Sequence, residues 1–157
     1  MQTLHPNSTK LYCFYDFAVC PASYDFFAFL YAAEICRIRR NLKSIEIILI
    51  KGPVQNFRGD SMRTKEINDT FLLNVIIPGL SILPSIESYL WVSRESLNIS
   101  DINKMNIYPR GYQLGKPTAE YTLKELTAAK IRGDKPGFFR APAFARKLVQ
   151  DFIKNEI

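Results

Sequence analysis

Apolar residues fall into short continuous runs that alternate with longer stretches of helical spacing. The runs at residues 11–19, 44–50 and 88–92 are rich in aromatic and β-branched side chains. Because such runs are bounded by polar or proline-containing segments, they predict three β-strands. The second run, SIEIILI, is apolar almost throughout, which is typical of a strand buried on both faces of a parallel sheet. Residues 104–108 predict a short fourth strand.

Four other segments have apolar residues at helical spacing. The first covers residues 24–40, with the Ser23 hydroxyl placed to accept a hydrogen bond from a first-turn N–H. Its predicted apolar face contains Phe27, Leu30, Tyr31, Glu34 and Ile38, widened by Phe26, Phe29 and Ala33. Glu34 on this face, like Asp16 inside the first strand, is either a buried acid with a raised pKa or the partner of an arginine.

The remaining three helices are predicted from their apolar stripes and from the residues that begin or break them. One begins after Thr64, uses Ile67 in its stripe and is broken or kinked at Pro78. Another covers residues 122–131, with a partial stripe of Leu123, Leu126 and Ala129. The last begins at Pro142, a favoured first position, and runs to the chain end as an amphipathic helix.

This order of elements predicts an α/β fold, a three-layer Rossmann-like domain with a mainly parallel sheet. Residues 1–10 predict a flexible tail and residues 11–157 a single domain. Ligands of such sheets bind beyond the carboxyl ends of the strands. This rule selects the loops at residues 20–25, 52–63, 93–95 and 109–112.

The composition is that of a globular domain. Hydrophobic residues make up 47% and charged residues 23% of 157 positions, which excludes a disordered or fibrous chain. The net charge is +6, and residues 104–147 hold 10 basic and 3 acidic residues. A basic surface favours anionic partners, although a solvated surface accounts for the same charges.

Several classes of enzyme are disfavoured by what the sequence lacks. Three cysteines without a CxxC pair predict neither a disulfide framework nor a metal site, and a single histidine disfavours His-dependent catalysis. Neither G-x-G-x-x-G nor a P-loop occurs, so no cofactor is predicted. No apolar stretch predicts a signal peptide or a transmembrane segment, and we therefore expect a cytoplasmic location.

The candidate ligand-binding residues all lie in the four selected loops. Arginine suits phosphate or carboxylate groups, and aromatic rings can stack on a ligand. Each loop also has a structural alternative: a helix cap at Ser23, a solvated loop with Asp60 paired to a neighbouring arginine at residues 52–63, a surface ion pair at Arg94, and turn geometry around Arg110. The candidates are Ser23, Tyr24, Asp25, Gly52, Phe57, Arg58, Arg63, Ser93, Arg94, Arg110 and Tyr112.

Four segments together resemble a known family. They are PASYDFFAFLYAAEICRIRR at 21–40, IEIILIKGPVQNFR at 45–58, NVIIPGLSILPS with WVSRE at 74–95, and YPRGY with RAPAFAR at 108–146. The chain resembles, over about residues 11–152, the N-terminal portion of bacterial surface-polysaccharide glycosyltransferases with the two-domain GT-B arrangement.

This resemblance implies the acceptor-side half of an enzyme that transfers a sugar from a nucleotide-sugar donor to a hydroxyl acceptor. Most donor contacts would belong to a C-terminal domain or a second subunit, so we expect no activity from this chain alone. It implies a small anionic or sugar ligand in an interdomain cleft lined by Arg58, Arg63, Arg94 and Arg110. It identifies no catalytic residue.

Two other functions remain open. The first is a non-enzymatic Rossmann-like module that binds a nucleotide, nucleic acid or protein partner through the basic segment at residues 104–147. Nucleic acid is the least expected of these, because most aromatic residues lie in segments predicted to form the core. The second is a partner-dependent fragment, for which an exposed apolar patch on the last helix or along a sheet edge would be the structural sign.

Overall fold

A computed structural model describes residues 6–52, 65–97, 102–134 and 138–156. Four parallel strands form one sheet in the order β3-β2-β1-β4. The predicted Rossmann-like α/β fold with a parallel sheet is thereby confirmed. The strands are β1 (Lys10–Asp16), β2 (Ser44–Ile50), β3 (Ile86–Val92) and β4 (Ile107–Tyr108).

Strand β2 has its predicted bounds, whereas β1 ends three residues earlier than predicted. The cause is Asp16, whose carboxylate Oδ1 accepts a hydrogen bond from the Ala18 N–H at 3.0 Å. The Asp16 carbonyl accepts further bonds from the N–H groups of Val19 and Cys20, so the chain turns here. The predicted fourth strand is reduced to its last two residues.

The helices are α1 (Asp25–Arg39), α2 (Lys65–Phe71), α3 (Ala119–Arg132) and α4 (Ala143–Glu156). Helix α2 continues through a π-helical turn, Leu72–Ile76, into the α-turn Ile77–Gly79. The wider π turn accommodates Pro78, whose ring would clash with a carbonyl in a regular helix. Thr64, the predicted cap, lies outside the described residues.

Two hydrophobic clusters place the sheet between two layers. One face packs against α1, the end of α2 and α3, through residues such as Tyr15, Leu30 and Ile47. The other face is covered by residues that include Ile102 and Met105 of the β3–β4 connection and Tyr112 after β4. The domain therefore has three layers, and the described residues of the second outer layer come from the segments on either side of β4.

Most of the predicted apolar faces are buried in the structure, but one predicted residue on each of three helices is exposed. Ile38 of α1, Ile67 of α2 and Leu123 of α3 are exposed, although each was predicted to face the core. Helix α1 packs against both the sheet and α3, so its buried residues also include Ala32, Ile35 and Cys36, which were not predicted. Contact with a second helix is a tertiary property that periodicity does not encode.

The end of the chain is the least buried part of the described fold. The ring centroids of Phe138 and Phe139 lie 5.3 and 5.9 Å from that of Tyr31, and these contacts anchor the start of this segment. Along α4, Phe144, Val149 and Ile153 are half exposed or more. An exposed apolar face on the last helix is thus present. No helix in the described residues is long and apolar enough to cross a membrane.

Candidate functional site

The strand order creates a reversal point in the sheet. Strands β1, β2 and β3 proceed outward in one direction, and β4 then returns to the opposite side of β1. In open parallel sheets ligands bind at such a point, beyond the carboxyl ends of the strands. We call the residues just after Asp16, Ile50 and Val92, together with Tyr112, the carboxyl edge.

At the carboxyl edge, an ion pair links the ends of two strands. Arg94, which follows β3, donates from Nη2 to Asp16 Oδ2 at 2.6 Å. Asp16 is fully buried, whereas the Arg94 side chain is 36% exposed. Both Asp16 oxygens therefore have partners, and its negative charge is balanced by Arg94. The predicted surface ion pair at Arg94 is in fact a partly buried one, formed with an acid 78 residues away.

Tyr112 and Gly115 lie beside this ion pair. The Tyr112 ring stacks on Phe14, with centroids 5.0 Å apart and planes 14° from parallel. Burial raises the pKa of Tyr112 above its ordinary value of 10.0, and the Asp16 carboxylate raises that pKa further. The backbone at Gly115 comes close to the Arg94 guanidinium, and a Cβ there would lie 3.7 Å from its nitrogens.

Gly52 is required by close packing between two strand exits. A Cβ at Gly52 would lie 2.5 Å from Ala18 Cβ and under 3 Å from the Ala18 backbone. Only glycine allows the backbone of the β2 exit to approach the β1 exit this closely. Gly52 therefore allows the residues that follow β1 and β2 to lie close together at the carboxyl edge. Its neighbours Phe57, Arg58 and Arg63, which were also predicted to bind ligand, lie outside the described residues.

The loop before α1 places an aromatic ring in solvent at the same edge. Tyr24 is 71% exposed, yet its ring packs against two other rings. Its centroid lies 5.1 Å from that of Phe71, with the two ring planes nearly perpendicular, and 6.3 Å from that of Phe27. Beside it, the Ser23 hydroxyl donates to Asp25 Oδ2 at 2.9 Å. The same hydroxyl oxygen accepts the Asp25 N–H at 3.2 Å, which is a local turn before the helix. The N-cap position itself is taken by Tyr24, whose side chain forms no cap hydrogen bond, so the predicted cap at Ser23 is wrong.

Ser93 has a local structural role. Its carbonyl accepts hydrogen bonds from the N–H and hydroxyl of Ser96, which form the short turn after β3. Hydrogen bonds from the Glu95 N–H and from Ser93 lower the pKa of the Glu95 carboxyl. Ser93 thus shapes the loop that presents Arg94.

Arg110 and Tyr112 were both predicted to bind ligand, and the structure separates them. They lie in a turn closed by a 3.0 Å bond from the Tyr112 N–H to the Pro109 carbonyl, with Gly111 at a positive φ of 71°. The predicted turn geometry is confirmed. Tyr112 packs into the sheet, whereas Arg110 lines a cavity between α1, α3 and β4.

Apart from Arg110, the residues of this cavity were missed by sequence reasoning. Arg39 and Arg40 were not among the predicted ligand-binding residues. A usable signal was present: Cys36, Arg39 and Arg40 share one face of α1, and Tyr121, Lys124, Glu125 and Ala128 share one face of α3. Pairing the two faces requires the tertiary contact between the helices.

The other buried acid is structural. Glu34 accepts two hydrogen bonds from Arg37, at 2.7 and 2.8 Å, and one from the Ser85 hydroxyl at 2.6 Å. The alternative in which Glu34 pairs with an arginine is therefore the observed one. These bonds tie α1 to the start of β3 and lie away from the carboxyl edge.

The cysteines are free and buried, as expected of small hydrophobic side chains. Burial raises the pKa of all three thiols, most of all for Cys13. A high thiol pKa disfavours the reactive thiolate. Within the described ranges, no group of three His, Cys, Asp or Glu side chains is arranged to hold a metal ion.

No protein-family model, curated protein or solved structure matches the chain. The glycosyltransferase resemblance accordingly stays a prediction, and the function has to be inferred from the geometry of the site.

Proposed function

We propose that the chain is the acceptor-side domain of a glycosyltransferase-like enzyme and binds a saccharide at the carboxyl edge of its sheet. The observation that supports it best is Tyr24, an exposed ring fixed by two other aromatic residues beside the Asp25 carboxylate. A sugar presents an apolar C–H face and several hydroxyl groups. An aromatic ring can stack on the former, and a carboxylate accepts hydrogen bonds from the latter.

The saccharide proposal rests on Tyr24 and Asp25 and not on the arginines that the sequence suggested. Arg94 was expected to offer charge to an anionic group, but its charge is balanced by the buried Asp16. Arg110 lies in the separate cavity. A neutral saccharide hydroxyl is therefore a better ligand for the described carboxyl edge than a phosphate. The nucleotide-sugar donor would bind mainly to another domain or subunit.

Saccharide binding can be tested by titrating the ¹⁵N-labelled chain with disaccharides built from hexoses, N-acetylhexosamines and deoxyhexoses. We expect at least one of them to shift the amide signals of Tyr24, Asp25 and Gly52 in a saturable way. In Tyr24→Ala, binding should weaken about tenfold because the stacking surface is lost.

Tyr89→Ala is the matched control, since Tyr89 is also an exposed tyrosine but lies within β3. It should bind the same saccharide as the unmodified chain does. The proposal fails if no saccharide shifts these amide signals, or if the two alanine variants lose affinity equally.

A further inference from the structure

A cavity of about 590 Å³ lies between α1, α3 and β4, apart from the saccharide site at Tyr24. Its volume is within the usual range for sites that bind small molecules. We call it the cationic cavity, after its lining residues: Cys36, Arg39, Arg40, Tyr108, Arg110, Tyr121, Lys124, Glu125 and Ala128.

The lining has an excess of positive charge. Four of its residues are basic (Arg39, Arg40, Arg110 and Lys124), and Glu125 is its single acid. Glu125 is already paired, because it lies 2.7 Å from Arg39 Nη1 and 3.4 Å from Arg132 Nη2. The charges of the other three basic residues are therefore not balanced by the acid in the cavity.

Arg40 is held in position without losing its charge. Its Nη1 donates to the Ile107 carbonyl at 3.1 Å, and its Nη2 donates to Asn106 Oδ1 at 2.7 Å. Both acceptors are uncharged, so they orient the guanidinium and leave its positive charge unneutralised. A group fixed in advance loses less entropy when it binds a ligand.

Arg110 and Lys124 contribute the accessible charges. Arg110 is exposed, and no carboxylate in the described part of the chain forms an ion pair with it. Lys124 bonds to Glu120 at 2.6 Å, but both side chains are more than 70% exposed. An exposed pair of this kind contributes little free energy, so a stronger anion can displace Glu120.

We propose that the cationic cavity binds a small phosphorylated ligand through Arg40, Arg110 and Lys124. Phosphate oxygens accept the parallel N–H donors of a guanidinium, which makes arginine well suited to this chemistry. The half-buried Tyr121 ring in the lining offers a surface for a flat group attached to the phosphate. The ligand class is therefore a phosphate ester or diphosphate, and a nucleoside phosphate fits both the charge and the ring.

Calorimetric titration of the full chain with pyrophosphate, ADP and adenosine tests this. We expect saturable binding of pyrophosphate and ADP that weakens as salt is added, and no measurable binding of adenosine. ADP that binds more tightly than pyrophosphate would indicate that the ring takes part. Saturable binding of adenosine alone, or no binding of either phosphate compound up to about 5 mM, would overturn the proposal.

Charge-matched variants locate the site. Arg110→Gln should weaken pyrophosphate binding about tenfold, and Lys124→Gln should weaken it in the same direction. Lys130→Gln is the control, because Lys130 is an exposed cation on α3 that does not line the cavity. It should change affinity by less than about twofold, since distant exposed charges are screened. Equal losses in all three variants would reduce the effect to general surface charge and overturn the assignment.

These outcomes are independent of the saccharide proposal. Loss of disaccharide binding in Tyr24→Ala with intact pyrophosphate binding would support both sites. Pyrophosphate binding without any saccharide binding would leave the cationic cavity established and the acceptor-side function rejected.

Discussion

Arg94 and Arg110 each follow a strand of the same sheet, yet their surroundings differ. Arg94 lies at the carboxyl edge, 2.6 Å from a fully buried carboxylate. Arg110 is exposed at the cationic cavity, where basic residues outnumber acidic ones. The difference shows that an arginine after a strand is not by itself evidence of an anion site. A balanced arginine stabilises the fold, and an unbalanced one is available to a ligand.

Replacing the two arginines in turn should have its largest effect on stability, and only at Arg94. Arg94→Met leaves the buried Asp16 carboxylate without its counter-charge, and we expect a loss of about 3 kcal/mol in the free energy of unfolding. Arg110→Met removes a charge from a group of like charges and should leave the urea midpoint unchanged or raise it. Urea denaturation of both variants at pH 7 gives the comparison. Similar losses in the two would show that Arg110 also has a structural partner.

A smaller effect is expected where the two regions differ in packing. Gly52→Ala places a methyl group against the Ala18 backbone and should cost about 2 kcal/mol through overpacking. Gly111, next to the cationic cavity, has a positive φ, but a Cβ added there would meet no atom within 4 Å. Gly111→Ala should therefore cost only the left-handed backbone penalty of about 1 kcal/mol. Equal midpoints for the two variants in urea denaturation would contradict the close approach at Gly52.

The smallest effect concerns the Tyr112 hydroxyl, which has no hydrogen-bond partner within the described ranges. Tyr112→Phe should change stability at pH 7 by less than about 0.5 kcal/mol, because no bond is lost. Tyr15→Phe is the control: it removes a 2.8 Å bond to the Pro21 carbonyl and should cost about 1 kcal/mol. Equal losses at pH 7 would show that Tyr112 has a partner.

The same two variants test how the free energy of unfolding falls at alkaline pH. Burial raises the folded-state pKa of Tyr112 and of Tyr15 above 10.0. The unfolded chain therefore releases these protons first, and stability that is complete below about pH 10 falls as the pH rises further. Each phenylalanine variant should lose less stability than the unmodified chain between about pH 9 and pH 11. A steeper loss in either variant would contradict the raised pKa.

The fold was largely predictable because its signals are local. Strand β2 is a continuous apolar run with clear stops, and its bounds were predicted correctly. The orientation of helix faces was less predictable, as at Ile38 and Leu123, because it depends on which helices pack together. The Asp16–Arg94 pair joins residues far apart in sequence. The cationic cavity depends on a contact between α1 and α3, so none of its lining residues except Arg110 was predicted.

The most direct test of the contrast is an NMR titration of the ¹⁵N-labelled chain with pyrophosphate. We expect saturable shifts in the amide signals that line the cationic cavity, with Cys36, Arg40, Arg110 and Lys124 among them. The amides around Arg94 at the carboxyl edge should stay in place, because Asp16 already balances that charge. Shifts centred on Arg94, with the cavity amides unchanged, would contradict the assignment of the anion site to the cationic cavity.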